Sequence, residues 1–453
     1  MLFRSAFDAL MLEQRTMAKA DAKAKKTLLA DLSVYSAFRA LGETVFTGYD
    51  HLDTDTTILG LIVDGVSVTK AVAGEIAEVI LAETSLYAES GGQEADAGSI
   101  VGTGFDLEVL DVQRPVKGLV SHRVQVRSGE VGAGDTATSV VDRDYRRGAT
   151  QAHSATHLIH AALREVLGPD AHQAGSDNRA GYLRLDFNWS KPLSFETRNE
   201  IEDIANDAVR QNLEVSTRIL PLDEARALGA MALFGEKYGD EVRVVEIGGP
   251  WSRELCAGIH VARSSEIGLI NVVSEASVGS SNRRIESLVG REGFRDLVVE
   301  RAIVSELTST LKTPRDQVST RISEFENAAL TERVPALLTQ ATRVGAVTAV
   351  ITDVGTLSSS DDLRLLVTTV RGRLGSDPVV VALAAQVAGK PAVIVATNEA
   401  ARTLGARAGV LAKSAAGILG GGGGGKDDLA QGGGSRVDAI AAALEAIAAG
   451  LPR

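Results

Sequence analysis

The stretch HSATHLIHAALREVLG, residues 153–168, decides the fold of the central part of the chain. Its apolar residues recur at helical spacing, so the stretch predicts an amphipathic helix. His153 and His157 stand four positions apart, and their imidazoles therefore lie on one face of this helix, close enough to share an ion. The residue after His153 is Ser154, where a zinc peptidase carries its glutamate base. The pattern therefore favours a metal site that is not a peptidase site.

A second motif follows about a hundred residues later. Cys256-Ala257-Gly258-Ile259-His260 supplies a thiolate and a third imidazole, and its cysteine is the only one among 453 residues. Gly258 gives this loop the backbone freedom to fold around one ion. Each motif alone has an ordinary interpretation, as a satisfied helix face or a buried thiol. Together they supply three nitrogens and one sulfur, which suits tetrahedral zinc. We therefore predict four zinc ligands: His153, His157, Cys256 and His260.

The role of the predicted zinc ion is left open by the sequence. Four protein ligands leave no free coordination position, which is typical of a structural ion. Catalysis would require a loose ligand, an expanded coordination shell, or an ion that only positions the substrate. His160 shares the helix face of His157 and could compete as a ligand, but we expect it to pack beside the ion. His51 and His122 have no partner pattern and are interpreted as surface or core residues.

Composition limits the classes of protein that the chain can belong to. A length of 453 residues predicts roughly two to four domains. The formal charge of −12 argues against indiscriminate coating of nucleic acid, so any contact with a polyanion must use local basic patches. A single cysteine excludes an intramolecular disulfide framework and fits a reducing compartment. No segment approaches the roughly 20 apolar residues of a membrane span, and we expect a cytoplasmic protein without a membrane partner.

The hydrophobic pattern predicts an α+β multidomain fold. Short β-rich runs such as Thr57–Val63, which are separated by Gly, Asp and Ser turns, indicate a small β-barrel. An α+β zinc core follows, with its first helix predicted over about 150–167. Charged helices separated by Pro314 come next and indicate a helical hairpin or stalk. In the C-terminal α/β domain, strands such as 379–384 alternate with helices such as 399–416. An amphipathic helix is predicted over residues 6–32. The predicted regions are 1–42 (linker helix), 43–145 (barrel), 146–292 (zinc core), 293–340 (hairpin or stalk) and 341–453 (α/β domain).

Several longer motifs, in this order and spacing, resemble one family. HSATHLIHAALREVLG, LRLDF, FGEKYGDEVRVVEIG, ELCAGIHV and RRIESLVG resemble the editing domain of bacterial alanyl-tRNA synthetases, and YAESGGQ (87–93) resembles its barrel subdomain. GGGGGGKDDLAQGGG (420–434) resembles the glycine-rich segment of the family's C-Ala domain. The resemblance implies the C-terminal portion of such a synthetase, without the aminoacylation domain. A chain of this kind is not expected to activate alanine by itself.

The resemblance implies proofreading hydrolysis of Ser-tRNA(Ala) and Gly-tRNA(Ala), with Zn²⁺ as cofactor and mischarged tRNA(Ala) as partner. A synthetic pocket sized for a methyl group cannot exclude glycine and rejects serine only modestly, so a second hydrolytic site is useful. Thr156 and Gln173 match the family's editing-pocket positions and are the predicted catalytic residues. The C-Ala-like region implies tRNA binding and homodimerisation. The predicted tRNA-binding residues are Arg283, Arg284, Gly91, Gly92, Gln93 and Lys426.

Ordinary structural roles remain as alternatives for these residues. Thr156 could bond back to its own helix, and Gln173 could be a solvated loop residue. A salt bridge is a rival role for one of the two arginines. An ordinary hairpin turn would explain Gly91 and Gly92 equally well, and the six-glycine run could be a flexible linker.

Two other functions remain open from the sequence. One is a freestanding trans-editing hydrolase that resembles the AlaX proteins, which share the editing core. The other is a non-catalytic tRNA-binding and dimerisation module in which zinc is only structural. The chain also departs from the family's usual CxGTH motif, because Ile259 occupies the threonine position. Because the four ligands are intact, we expect the loss of this hydroxyl to affect the specificity for the aminoacyl group more than metal binding.

Overall fold

The computed structural model describes residues 32–232 and 238–452. The helix predicted over 6–32 thus lies, except for its last residue, outside the described residues. The chain divides into two compact units, Met1–Glu300 and Arg301–Arg453, which we call the first and second units. Within the described ranges, no helix is both long and apolar enough to span a membrane.

The first unit begins with a short helix and a closed β-barrel. The barrel is closed by six antiparallel strands in the order β10–β7–β8–β9–β5–β2, since β10 pairs again with β2. Alternate residues of β8, such as Leu107 and Val109, point into its core. The predicted small barrel is confirmed. Its elements are α1 (Leu32–Arg39), β1 (Val45–Phe46), β2 (Asp53–Val63), β3 (Val66–Val68), β4 (Lys70–Val72), β5 (Ile76–Leu81), β6 (Glu83–Thr84), β7 (Gly98–Gly102), β8 (Phe105–Val116), β9 (Leu119–Gly132) and β10 (Thr136–Val141).

A long helix, α2 (Arg143–Leu167), leaves the barrel and carries the first histidine motif. It begins seven residues before the predicted start at residue 150, because Asp142 caps it by accepting hydrogen bonds from the backbone N–H groups of Asp144 and Tyr145. Arg146, in its first turn, lies against the barrel with its guanidinium enclosed. The helix is therefore fixed to the barrel at its N-terminal end.

The rest of the first unit packs around α2. A four-stranded antiparallel sheet in the order β11–β12–β17–β16 and helix α3 bury the apolar face of α2, including Leu158 and Ile159. A smaller sheet, β13–β14–β15, ends where the cysteine motif begins. The elements are β11 (Gln173–Arg179), β12 (Tyr182–Asn188), α3 (Phe195–Arg210), β13 (Val215–Pro221), α4 (Leu222–Ala227), β14 (Glu241–Ile247), β15 (Ser252–Leu255), β16 (Ile270–Ser277) and β17 (Asn282–Val289).

The second unit is built on one six-stranded sheet in the order β18–β19–β20–β21–β23–β22. Successive residues of β20 face opposite sides: Val379 and Val381 pack with helix α8, whereas Val380 and Ala382 pack with α10 and α11. Helix α5 (Arg291–Leu311) leads into this unit from the first. The further elements are α6 (Val318–Glu332), α7 (Val334–Leu338), β18 (Thr342–Val344), β19 (Val347–Leu357), α8 (Ser360–Arg373), β20 (Val379–Val387), β21 (Lys390–Thr397), α9 (Glu399–Thr403), α10 (Ala408–Ile418), β22 (Gly423–Gly425), β23 (Leu429–Gly433) and α11 (Ile440–Ala449).

Two details of the second unit differ from the sequence-based interpretation. The single helix predicted over 399–416 is two helices, α9 and α10, separated at Gly405, whose φ of 97° is outside the helical region. Three residues of the glycine run, Gly423–Gly425, form the edge strand β22, which pairs with β23. The hairpin arrangement of the charged helices stays a prediction.

Candidate metal centre

The two predicted motifs meet at one buried cluster. Ligand atoms of His153, His157, Cys256 and His260 all lie within 4.8 Å of one another. The Nε2 atoms of His153 and His260 each lie 3.4 Å from the Cys256 sulfur. The ring centroids of the three histidines are 4.5–5.4 Å apart. The two motifs are about a hundred residues apart in sequence but lie together in the fold. Their three nitrogens and one sulfur face a common centre.

Two of the imidazoles are oriented by neutral hydrogen-bond partners. The Nδ1 atom of His153 lies 2.9 Å from the side-chain oxygen of Gln93, which also accepts the backbone N–H of Ile259 at 2.8 Å. The Nδ1 atom of His260 lies 3.2 Å from the Ser154 hydroxyl. Because the Gln93 oxygen can only accept, His153 carries its proton on Nδ1 and its Nε2 lone pair faces the cluster. This orientation matches that of a histidine ligand.

The third imidazole faces a buried carboxylate. The Nδ1 atom of His157 lies 3.6 Å from Oε2 of Glu254, which is too long for a hydrogen bond. The other oxygen, Oε1, is 2.9 Å from Nδ1 of His160. His160 in turn accepts the backbone N–H of Gln173 at its Nε2, at 3.2 Å. His160 thus packs beside the cluster, as expected, and connects it to the beginning of β11.

The cysteine loop is held from outside by Arg243 and Tyr49. Arg243 donates to the backbone oxygens of Cys256 (3.0 Å) and Gly258 (2.8 Å), and its guanidinium stacks 4.5 Å from the Tyr49 ring centroid. The Tyr49 hydroxyl donates to the oxygen of Ala257 at 2.7 Å. Two barrel residues, Tyr49 and Gln93, therefore help to fix a loop more than 150 positions away in sequence.

Burial keeps the imidazoles of the cluster neutral. Burial, followed by the neighbouring His157, lowers the pKa of His153 to about 3, and burial lowers the pKa of His157 and that of His260. At Glu254, burial raises the pKa, but the facing His157 and His160, the second of which donates a hydrogen bond, lower it below its ordinary value. The centre therefore presents neutral nitrogen donors beside an ionised carboxylate, a combination suited to a divalent cation.

The predicted catalytic residues are both associated with β11: Thr156, on α2, contacts Asn178 of that strand, and Gln173 is its first residue. The Thr156 hydroxyl is buried, 3.1 Å from the oxygen of Ala152 and 2.5 Å from the side-chain oxygen of Asn178. The helix back-bond that was the alternative for Thr156 is thus present. Gln173 is also buried, and its amide nitrogen donates to the Ser176 hydroxyl at 3.0 Å. Neither residue is a solvated surface residue, and their catalytic role stays a prediction.

The two arginines predicted to bind tRNA both form ion pairs. Arg283 pairs with Glu275 across β16 and β17. Arg284 makes a bidentate pair with Asp186, at 2.6 and 2.8 Å. The salt-bridge alternative therefore describes both residues, and their contact with tRNA stays a prediction. The third predicted tRNA-binding cation, Lys426, is exposed in the second unit, directly after β22.

The YAESGGQ loop is a tight turn that docks on β11. Gly91 and Gly92 both have positive φ (60° and 81°), and Ser90 and Gln93 exchange two backbone hydrogen bonds across them. A Cβ atom at Gly92 would lie 2.1 Å from the Ser176 hydroxyl oxygen, so a glycine is required for the close approach. The ordinary-turn interpretation of the glycines is thus present, and the turn delivers the fully buried Gln93 side chain to His153.

Two cavities lie near the cluster, and one of them reaches a cluster residue. One, of about 260 Å³, is lined by His160, Gln173 and Glu254, together with His172, Asn188 and Met231. The other, of about 500 Å³, reaches His260 and is lined by barrel and helix residues that include Arg143 and Arg147. Either cavity is large enough to hold an amino acid side chain beside the cluster.

Several residues that shape the centre were not found from the sequence. Tyr49 and Arg243 had no pattern that pointed to them, and Gln93 was predicted to bind tRNA, not to contact His153. Glu254 could have been found from the sequence. It lies two residues before Cys256, and side chains at that spacing along an extended chain share a face, so it is expected on the same side as the cysteine. Ser154 was considered only because it replaces the glutamate base of a zinc peptidase, and its contact with His260 was not predicted.

Comparisons with known proteins agree with the motifs. Three family models match: tRNA synthetases class II (A) at residues 4–145, threonyl and alanyl tRNA synthetase second additional domain at 242–286, and DHHA1 domain at 346–451. The alanine–tRNA ligase of Clavibacter michiganensis subsp. michiganensis is 72% identical over 98% of this chain. That of Leifsonia xyli subsp. xyli is 68% identical, and that of Renibacterium salmoninarum 52%, also over 98% of the chain. The chain is a relative of the alanine–tRNA ligases. The resemblance predicted from the motifs is confirmed.

The chain spans about half the length of the curated alanine–tRNA ligases that it matches, with 52% of the Clavibacter protein covered. The matched residues 242–286 include the whole cysteine motif, and the DHHA1 match covers the glycine run of the second unit. A solved structure, the C-Ala domain from Aquifex aeolicus alanyl-tRNA synthetase, is 25% identical, with 25% of this chain and 98% of that chain covered and a TM-score of 0.23.

Proposed function

We propose that the first unit is a zinc-dependent editing hydrolase that removes serine and glycine from mischarged tRNA(Ala). The second unit would bind the tRNA and dimerise in the manner of a C-Ala domain. The convergence of His153, His157, Cys256 and His260 within 4.8 Å is the observation that carries this proposal. The relation to alanine–tRNA ligases supplies the class of tRNA.

The donor set fits a zinc ion. One thiolate and three neutral imidazoles are the ligands that zinc prefers, and a hydrogen-bond partner at His153 already directs Nε2 to the centre. Bound zinc would supply a Lewis acid or a positive charge that orients the ester. The four residues would hold the ion, while Gln93, Ser154 and Arg243 keep the ligand groups and the loop in place.

Thr156 and Gln173 would recognise the aminoacyl group. Both are buried polar side chains next to the histidine motif, and a serine hydroxyl can be paired by such groups, whereas the alanine methyl cannot. Asn178, which contacts the Thr156 hydroxyl, would hold that hydroxyl in place. Discrimination would then come from hydrogen bonds that the correct Ala-tRNA leaves unmade.

The test is a deacylation assay on the purified chain. Ser-tRNA(Ala), Gly-tRNA(Ala) and Ala-tRNA(Ala) are incubated separately with the zinc-loaded protein and with protein treated with a chelator. We expect hydrolysis of the seryl and glycyl esters, a much slower loss of alanine, and loss of activity without zinc. Hydrolysis of neither mischarged ester would exclude an enzyme and favour a zinc-stabilised tRNA-binding module.

Matched variants assign the roles of the residues. Cys256→Ala should bind little zinc, and full zinc content in this variant would contradict the ligand assignment. Thr156→Val should keep zinc but lose discrimination between seryl and alanyl esters. Ser287→Ala, which alters another fully buried hydroxyl of the first unit, is the control and should change neither property.

A further inference from the structure

Glu254 differs from the other groups that orient the cluster because it is anionic. The Nδ1 atoms of His153 and His260 meet a neutral amide oxygen and a hydroxyl. Nδ1 of His157 instead faces the Glu254 carboxylate, and it has no hydrogen-bond partner within the described part of the chain. A buried polar atom without a partner is costly and needs a reason.

The hydrogen bonds around Glu254 determine which of its oxygens is available. The Gln173 backbone N–H can only donate, so Nε2 of His160 must accept and Nδ1 of His160 must carry the proton. That proton is donated to Oε1 of Glu254. Oε2 is thus directed at Nδ1 of His157, 3.6 Å away. A shift of either side chain by roughly 0.7 Å would form an ordinary hydrogen bond between these two atoms.

Charge balance gives the carboxylate a second role. A divalent ion with one thiolate and three neutral imidazoles carries a net charge of +1, and the site is buried. Glu254 is itself buried, with 4% of its surface exposed, and its negative charge brings the sum to zero. An uncompensated charge in a buried site is strongly unfavourable.

We propose that Glu254 is a positioning residue of the metal centre. It accepts the Nδ1–H of His157, which directs Nε2 of that ring to the ion, and it neutralises the loaded site. Through His160 it also ties the metal centre to the backbone of Gln173 and to the 260 Å³ cavity that these residues line. This inference rests on the proposed zinc centre.

Zinc affinity of the full chain tests this role without any activity assay. The metal-free protein is titrated with Zn²⁺ against a chromogenic chelator, and the Co²⁺-loaded protein is examined by its visible absorption spectrum. Removing an outer hydrogen-bond partner of a metal-bound histidine typically costs about 10–100-fold in affinity. We therefore expect Glu254→Gln to bind zinc on the order of 10–100-fold more weakly, with an altered Co²⁺ spectrum.

Two further variants make the result specific. Glu246→Gln removes another buried carboxylate of the same small sheet. Glu246 pairs with Arg253 and Arg218, and among the described residues no hydrogen bond or ion pair joins it to an imidazole, so this variant should bind zinc like the wild type. Glu254→Asp keeps the charge and should bind more tightly than Glu254→Gln. Wild-type affinity in Glu254→Gln, or equal losses in the Asp and Gln variants, would overturn the role of Glu254. If the wild-type chain bound no zinc, the proposed metal centre itself would fail.

Discussion

Gly258 lies where the cysteine loop touches the first histidine, and its replacement by alanine is a sharp test of the centre. The backbone at Gly258 does not have a positive φ, so alanine can adopt it without strain. The added Cβ, however, would lie 2.1 Å from Cε1 and 2.4 Å from Nδ1 of His153, and 2.9 Å from the Gln93 oxygen. The three atoms nearest to the added Cβ therefore all belong to the His153 imidazole or to its hydrogen-bond partner Gln93.

The magnitude follows from these contacts. Carbon atoms in contact are about 3.5–4.0 Å apart, so the ring or the loop has to move by roughly 1.4 Å or more. Metal–ligand distances tolerate about 0.2 Å. We therefore expect zinc affinity to fall at least as much as on loss of an outer partner, about 10–100-fold. Overpacking of a close-packed site also costs about 1–3 kcal/mol of unfolding free energy.

The assay combines the chelator titration with thermal unfolding of the metal-free protein. Gly132→Ala in β9 is the control, because its added Cβ would have no neighbour closer than 3.4 Å and its φ is not positive. The control should match the wild type in both measurements. If Gly258→Ala bound zinc with wild-type affinity, the close approach of loop and imidazole would not be needed for the centre, and the reasoning would be refuted.

Three other predictions concern substitutions at His122, Asp96 and Gly432. Burial lowers the pKa of His122 from 6.5 to about 4, so below pH 6.5 the unfolded chain takes up a proton that the folded chain refuses. The unfolding free energy should fall between pH 6.5 and 4, by up to about 3 kcal/mol, and His122→Gln should flatten this dependence in denaturant titrations at several pH values. Asp96→Asn should lower the unfolding free energy by about 3–5 kcal/mol, because it leaves the enclosed Arg146 guanidinium without its counter-charge. A much smaller decrease in a urea titration would contradict this role. Gly432→Val should lower the melting temperature of the second unit, because even a Cβ there would lie 2.7 Å from the Cβ of Ala416 in α10; unchanged melting would show that the helix can move away.

Local patterns predicted the elements better than their ends. The β-rich run Thr57–Val63 is part of β2, which begins four residues earlier, and the predicted strand at 379–384 lies within β20. The start of α2 was missed although Asp142 is a recognisable N-cap residue. In the second unit a glycine at position 405 ends a helix that apolar periodicity alone would continue.

The meeting of the two metal motifs was predictable from their chemistry, whereas the groups that orient them were not. His153 and His157 share a face because of helical spacing, and a lone cysteine near a histidine completes a known ligand set. Gln93 reaches His153 only because a glycine turn of the barrel docks on β11, and no local pattern encodes such docking. The bond joins residues 60 positions apart, on elements whose relative placement depends on the whole unit.

Helix α2 connects the barrel to the candidate metal centre through a short length of continuous helix. Arg146, enclosed by Asp96 and two barrel carbonyl groups, is seven residues before His153, which is about 10 Å along the helix. A truncated protein beginning at Arg143 would lose both this anchor and Gln93. It would therefore expose a buried guanidinium and free the first imidazole to rotate. The smallest fragment able to keep the centre intact must begin before Gly48, so that it retains the Gly48 carbonyl and Tyr49. The barrel is therefore an integral part of any minimal protein built around these candidate ligands.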